Sequence, residues 1–349
     1  MNKAKEIITS YTGPKIRIME VCGTHTHEIF RLGIRSILPD SIQLISGPGC
    51  PVCVTPVDFI DEAVYLALEK GCTITTFGDL VRVPGTKMSL SQARAEGAKV
   101  KVVYSPLDAV KYAKAHPEED VVFLSIGFET TTPSDLLTIE ECEEEGMTNF
   151  SLLTANKTMP QAYEAMKDAC DAFLYPGHVH AIIGTKDCYH MLEKGVSGVV
   201  AGFTANELLT AIAIAVKKLS EGQPFFVNAY PRVVKDEGSP KGMAIIDKYT
   251  QPIDVSWRGL GVIPHSGLGL REAYAAYDAR KKYHVPSFAG HDHPGCRCGD
   301  ILRGEAQPYD CPLFGKVCTP EHPTGSCMVS SEGTCSAYYL YGGLKNWKK

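Results

Sequence analysis

Along the first two-thirds of the chain, short runs rich in β-branched residues alternate with stretches whose apolar positions recur at helical spacing. The runs predict strands at residues 15–21, 42–46, 73–77, 101–104, 121–126, 151–155 and 172–175. The clearest helical stretches are 57–70, 107–115, 161–169 and 205–219. Boundary signals agree. Thr55, Pro56 and Asp58 mark a helix start and Gly71 its end, while Thr204 with Glu207 reads as a capping box. Strand–helix alternation means a parallel sheet, because parallel strands need crossover connections. Two runs of such units predict an α/β protein with two parallel-sheet domains around a cleft. The first domain is expected at 1–80, with a return at about 222–265, and the second at 81–221. A helix at 270–283 then leads into a small C-terminal domain, 266–349, that has little periodic apolar sequence and depends on a metal for folding.

In open parallel sheets, ligands sit outside the carboxyl ends of the strands. Cys22-Gly23-Thr24-His25 follows the first predicted strand, and Gly47-Pro48-Gly49-Cys50-Pro51-Val52-Cys53 follows the second. Glu129 follows 121–126, Asn156 and Lys157 follow 151–155, and His178 follows 172–175. A cleft lined by thiols, imidazoles and a carboxylate is therefore expected.

Composition narrows the chemistry. Charged residues make up 21% and the net charge is −5, with Lys and Arg scattered, which argues against a nucleic-acid partner. The N-terminus lacks the apolar run of a signal peptide, and Leu208 to Val216 is too short to span a bilayer. A cytoplasmic, reducing location without a membrane partner is the expectation, so the 13 cysteines call for a use other than structural disulfides.

Six of those cysteines fall after residue 295. Cys296, Cys311, Cys318 and Cys335 form a C-x14-C-x6-C-x16-C run in Gly- and Pro-rich sequence. Zinc knuckles usually separate cysteines by two to four residues, whereas four-thiolate ligation of a [4Fe-4S] cluster needs no fixed knuckle. The spacing favours the cluster and leaves zinc as the competitor, with Cys298 and Cys327 as spare thiols. Upstream, Cys50 and Cys53 form a C-x-x-C at a strand-to-helix turn, suited to redox cycling or metal ligation. Cys22 and His25, at C-x-x-H spacing, could bind a soft metal or form a His-paired nucleophile. Cys72, Cys142, Cys170 and Cys188 read as buried small hydrophobes. No phosphate loop or dinucleotide fingerprint is present.

The motifs EVCGTHTHEIFRLGIRSILP, GPGCPVCVTP, SIGFETTTP, PGHVHAIIG and CPLFGKVCTPEHPTGSCMVSSEGTCSAYY resemble the HypD family of [NiFe]-hydrogenase maturation factors, from about residue 17 to 341. The tail after Tyr341 carries no motif. The resemblance implies an iron–sulfur redox scaffold that assembles the Fe(CN)2(CO) unit with a HypC-like chaperone and a HypE-like cyanide donor. The finished unit then passes to the hydrogenase large subunit. The family's cluster motif falls on Cys296, Cys311, Cys318 and Cys335, its redox pair on Cys50 and Cys53, and its iron-site cysteine and histidine on Cys22 and His25. Cys22, Cys50 and Cys53 are thus implied at the iron-assembly site, a transient Fe(II) carrying CN and CO ligands being the cargo. His25, Glu129 or His178 would move protons, and Met328 and Glu332 would tune the cluster or relay to it. The rival from another class is a thiol-disulfide oxidoreductase with a structural metal-bound tail.

Overall fold

The computed structural model describes residues 2–342, so the 343–349 part of the motif-free tail lies outside the described residues. The chain is α/β, with two parallel sheets. Their strands, in chain order, are β1 (Ile16–Glu20), β2 (Ile42–Ser46), β3 (Thr73–Thr76), β4 (Val100–Val102), β5 (Val121–Ser125), β6 (Phe150–Thr154), β7 (Ala172–Pro176), β8 (Ser197–Ala201) and β9 (Phe226–Asn228). One sheet runs β2-β1-β7-β8-β9 and the other β4-β3-β5-β6. β10 (Thr250–Trp257) and β11 (Gly261–Leu270) form a separate antiparallel hairpin.

Strands covered on both faces must be apolar at successive positions, and each face then feeds a different core. In β7, Ala172 and Leu174 pack with Ile18, Leu44 and the helix Ala205–Ser220, while Phe173 and Tyr175 face the opposite way. In β5, Val121 and Phe123 pack with Leu136 and Ile139, while Val122 and Leu124 join the core that also holds Phe173. That shared core takes in Cys50, Cys53, Trp257, Cys298, Cys327 and Cys335, so the cysteine-rich segment packs into the same interior as the sheets.

Strand membership departs from a division near residue 80. The chain leaves the first sheet after β2, builds the second from β3 to β6, and returns at β7. Strand–helix units look alike in either sheet, so periodicity does not reveal where the chain crosses over. Of residues 222–265, β9 joins the first sheet but β10 and the start of β11 do not. The helix expected at 270–283 is absent too. Leu270 closes β11, followed by a 3-10 turn at Glu272–Tyr277 and a short helix, Ala279–Lys282. The Arg271 backbone N–H donates to Tyr249 O at 2.9 Å and holds the segment to the hairpin, and the Asp278 side chain caps a new helix at the Arg280 N–H.

Candidate functional site

Cys22 and Cys50 each sit at a helix N-cap directly beyond a strand, Cys22 before Gly23–Arg31 and Cys50 before Pro51–Val54. The two loops touch through backbone. Gly23 N–H donates to Gly49 O at 3.0 Å, and a Cβ on Gly49 would fall 2.1 Å from the Cys22 nitrogen. Only glycine allows that approach. Cys53 N–H donates to the Cys50 sulfur at 3.4 Å, and both thiols are free and buried.

Burial pushes the Cys22 thiol up to about 12, against the pull of the His25 backbone amide; the nearby Glu332 carboxylate adds to the rise. Its imidazole neighbour is His178, whose Nε2 lies 3.8 Å from the sulfur. His25 turns away, with Nε2 3.1 Å from Gly202 O and its ring 4.7 Å from that of Phe203. A carbonyl only accepts, so Nε2 carries the proton and Nδ1 is left a buried acceptor without a partner. Burial depresses His25 to about 3 and His178 to about 4, keeping both rings neutral. The C-x-x-H spacing therefore juxtaposes a backbone amide with Cys22, and the fold supplies the imidazole from beyond β7. Glu332 also stands at this loop rather than in the cysteine-lined cavity: Thr24 Oγ1 donates to its Oε1 at 2.6 Å.

Cys296, Cys311, Cys318 and Cys335 line one small, apolar cavity together with Cys298, Cys327, Met328, Phe314, Leu313 and Gly325. A Cβ on Gly325 would come within 2.7 Å of the Cys296 sulfur. Burial raises the Cys335 thiol, and Cys298, Cys296, Cys318 and Cys311 each push it further. Thiols that ligate a metal lose their protons to solvent or a base as it binds. Among the described residues no three His, Cys, Asp or Glu side chains converge enough to grip a single ion. A zinc tetrahedron with Zn–S near 2.3 Å needs its sulfurs roughly 3.8 Å apart. Four thiols gathered on one cavity are the donor set that a zinc ion or a [4Fe-4S] cluster takes, with one thiolate per iron in the latter.

Cys298 and Cys327, without an assigned role from spacing, join the two cysteine sets. Their sulfurs are 2.6 Å apart, and Cys327 also faces Cys53. Contact with Cys298 and then Cys53 lowers the Cys327 pKa, whereas burial and Cys327 raise that of Cys53. The Ser326 hydroxyl donates to Cys53 O at 3.1 Å and lies 3.9 Å from the Cys298 sulfur, fastening the segments together.

Glu129 is buried deeper, its Oε1 accepting the Met159 N–H at 3.0 Å while Oε2 has no partner. Burial lifts it to about 7, so it holds a proton near neutrality. Among the described residues no hydrogen bond links it to Cys22, Cys50 or Cys53. Lys157 is buried beside Trp257, donates to Ser256 O at 2.8 Å, and is depressed to about 7 by burial.

The sequence matches the family described as "Hydrogenase formation hypA family" (HypD) over residues 1–342. The chain belongs to the HypD family. It is 44% identical to the hydrogenase maturation factor HypD of Rhodobacter capsulatus, across 95% of this chain and 90% of that protein. It is 44% identical to a putative hydrogenase expression/formation protein of Methanocaldococcus jannaschii (94% and 92% covered) and 42% identical to HypD of Escherichia coli (95% and 91%). Among the described residues no helix is long and apolar enough to cross a membrane. Within this HypD chain, sequence spacing singled out the cavity's four cysteines and the Cys50–Cys53 pair but not the Cys298–Cys327 contact. The only signal for that contact was the presence of two further cysteines beside the cavity's four.

Proposed function

We propose that this hydrogenase maturation factor is an iron–sulfur redox scaffold on which the Fe(CN)2(CO) unit of a [NiFe]-hydrogenase is assembled. One observation carries the reading: Cys53 meets Cys327, and Cys327 meets Cys298, both of these lining the cavity that also holds Cys296, Cys311, Cys318 and Cys335. Two thiol sets far apart in sequence thereby form one continuous series. Cys296, Cys311, Cys318 and Cys335 would hold a [4Fe-4S] cluster, which supplies electrons one at a time when bound.

The iron is cargo, held by the Cys22 thiolate with the neutral His178 beside it; Cys50 and Cys53 stand on the adjoining loop. Soft thiolates suit iron that carries diatomic ligands. Closing Cys50 and Cys53 to a disulfide would pass two electrons and two protons to the cyanide donor, which is reduced as it gives up cyanide, and the Cys298–Cys327 pair lies on the return path for electrons. His25, with its bare Nδ1, and Glu129, which takes up and gives up a proton near pH 7, are reserves for proton movement. A HypC-like chaperone and a HypE-like cyanide donor are the proposed partners, the large subunit being served indirectly, with the work done in the cytoplasm.

Burial of both Cys50 and Cys53 disfavours the oxidoreductase reading, since a protein disulfide would have to reach thiols closed off from solvent. The test is the metal and sulfide content of anaerobically purified protein, with capture of a HypC-like partner. About four irons and four sulfides per chain are expected. Stoichiometric zinc without sulfide would remove the electron supply and with it the proposal.

A further inference from the structure

The turn of the β10–β11 hairpin carries Arg258, whose side chain is only 2% exposed. Its Nε and Nη2 have no hydrogen-bond partner among the described residues. Nη1 lies 3.6 Å from a carboxylate oxygen of Asp292, a side chain that is itself 41% exposed. Burying a cation with so little compensation is unfavourable, and buried charges are normally paired or hydrogen-bonded. The side chain is no structural clamp either, because the turn is fastened through backbone. Arg258 N–H donates to Val54 O at 2.9 Å, one residue beyond Cys53. A Cβ on Gly259 would lie 2.3 Å from the Gly299 Cα, and Arg303 donates to Gly259 O. Two glycines thus press the turn against the helix Cys298–Leu302. Arg258 is thereby set between the Cys50–Cys53 helix and the helix that opens at Cys298, next to the Gly259–Gly299 contact that adjoins that cysteine.

We infer that Arg258 is the buried counter-charge of the cysteine-lined cavity and raises the reduction potential of the cluster held there. The inference rests on the iron–sulfur reading of that cavity. Ligation deprotonates each ligating cysteine, so the filled cavity carries net negative charge that deepens by one unit when an electron arrives. A fixed guanidinium in a dry interior stabilises the more negative state more strongly, and arginine stays charged where lysine can lose its proton. Asp292 opposes this by neutralising part of the guanidinium's field, and its half-exposed position keeps that opposition weak.

The experiment is a potentiometric titration of the full-length, cluster-loaded protein followed by electron paramagnetic resonance, on wild type, Arg258→Gln, Arg258→Lys and Asp292→Asn. Iron and sulfide are counted first. A wild type without cluster defeats the iron–sulfur reading itself, an outcome distinct from failure of this inference. With the cluster present, Arg258→Gln is expected to shift the one-electron equilibrium at least tenfold towards the oxidised form, about 59 mV more negative. Arg258→Lys should return most of that shift, and Asp292→Asn should move the midpoint the opposite way. A cluster that assembles in Arg258→Lys but not in Arg258→Gln also supports a need for charge. An unchanged midpoint in Arg258→Gln overturns the inference, as do equal shifts or equal cluster loss in both arginine variants, which mark packing. Should Arg258→Gln not fold, Arg258→Met, uncharged and of similar length, takes its place: a downward shift supports the inference and an unchanged midpoint overturns it.

Discussion

Thr24 donates a 2.6 Å hydrogen bond to Glu332, so the loop that carries Cys22 is tied directly to the cysteine-rich segment near the chain's end. The fit is close: a Cβ on Gly23 would meet the Glu332 Cβ at 2.7 Å. Glu332 therefore acts on the Cys22 loop, where its carboxylate helps hold the Cys22 thiol protonated. Glu332→Gln keeps an oxygen for Thr24 while removing the charge. The expected outcome is faster alkylation of Cys22 by iodoacetamide at pH 8, read by mass spectrometry, with little change in melting temperature. Glu332→Ala also loses the hydrogen bond, at a cost of about 1–3 kcal/mol. An unchanged or slower Cys22 rate in Glu332→Gln would sink this account.

Gly49 is the hinge of contact between the two reactive loops. A Cβ there would lie 2.1 Å, 2.3 Å and 2.4 Å from the Cys22 N, the Cys22 Cα and the Val21 carbonyl carbon. All three are backbone atoms, so no side-chain rotation relieves the clash. Gly49→Ala is expected to destabilise the fold by about 3 kcal/mol, at the upper end of overpacking effects. It should also part the Cys50–Cys53 loop from Cys22. Denaturant unfolding checks the first effect and the alkylation rate of Cys22 the second; a wild-type midpoint in Gly49→Ala refutes both.

Strands such as β5 and β7 were legible because a strand buried on both faces leaves a continuous apolar run. The β10–β11 hairpin was not, because GVIPHSGLGL mixes glycine, proline and polar residues and carries no clean period. Its glycines are there for close packing: a Cβ on Gly267 would strike Val255 at 2.2 Å. At the site, residue types were readable and partnerships only in part. Cys22 occupies a helix N-cap position, so the backbone N–H of the residue three positions on points towards it while that residue's side chain leaves the helix elsewhere. His25 thus looked like the partner, and His178 occupies that place. Arg258 and the Cys298–Cys327 contact depend on the hairpin turn, the C-terminal segment and the Cys50–Cys53 helix meeting, which no local pattern announces.

On the proposed iron–sulfur reading, Cys327 separates cluster binding from electron transfer. It is not one of the four cysteines at cluster spacing, yet it stands between Cys298 and Cys53. Cys327→Ser should keep the wild-type iron and sulfide content. Reduction of a preformed Cys50–Cys53 disulfide by the dithionite-reduced protein should slow at least tenfold, read by mass-tag alkylation of the freed thiols. A wild-type rate would show that electrons reach Cys53 by another path.

Asp135 gives the fold a pH dependence whose sign can be worked out. It is buried, with Ser125 Oγ 2.6 Å from its Oδ2 and 2.7 Å from Asn156 Oδ1. One hydroxyl hydrogen cannot serve two acceptors, so a proton on Asp135 completes the network. Burial accordingly raises Asp135 from its ordinary 3.8 to about 7. Because the folded-state pKa lies above the unfolded one, the stabilising contribution is whole below about pH 4. It drains away as pH rises through 7, where the folded state must give up a proton it favours. Glu129 adds a fall of the same sign, and Lys157, depressed to about 7, adds a rise above neutrality, so the wild-type profile alone does not isolate Asp135. Asp135→Asn does isolate it, since the amide supplies the hydrogen at every pH. Relative to wild type, the variant should gain stability between pH 4 and pH 8, by an upper bound of about 4 kcal/mol. Urea unfolding across that range measures the difference. A variant-minus-wild-type curve that stays flat would mean Asp135 is ionised in the fold throughout, with Asn156 flipped to donate in its place.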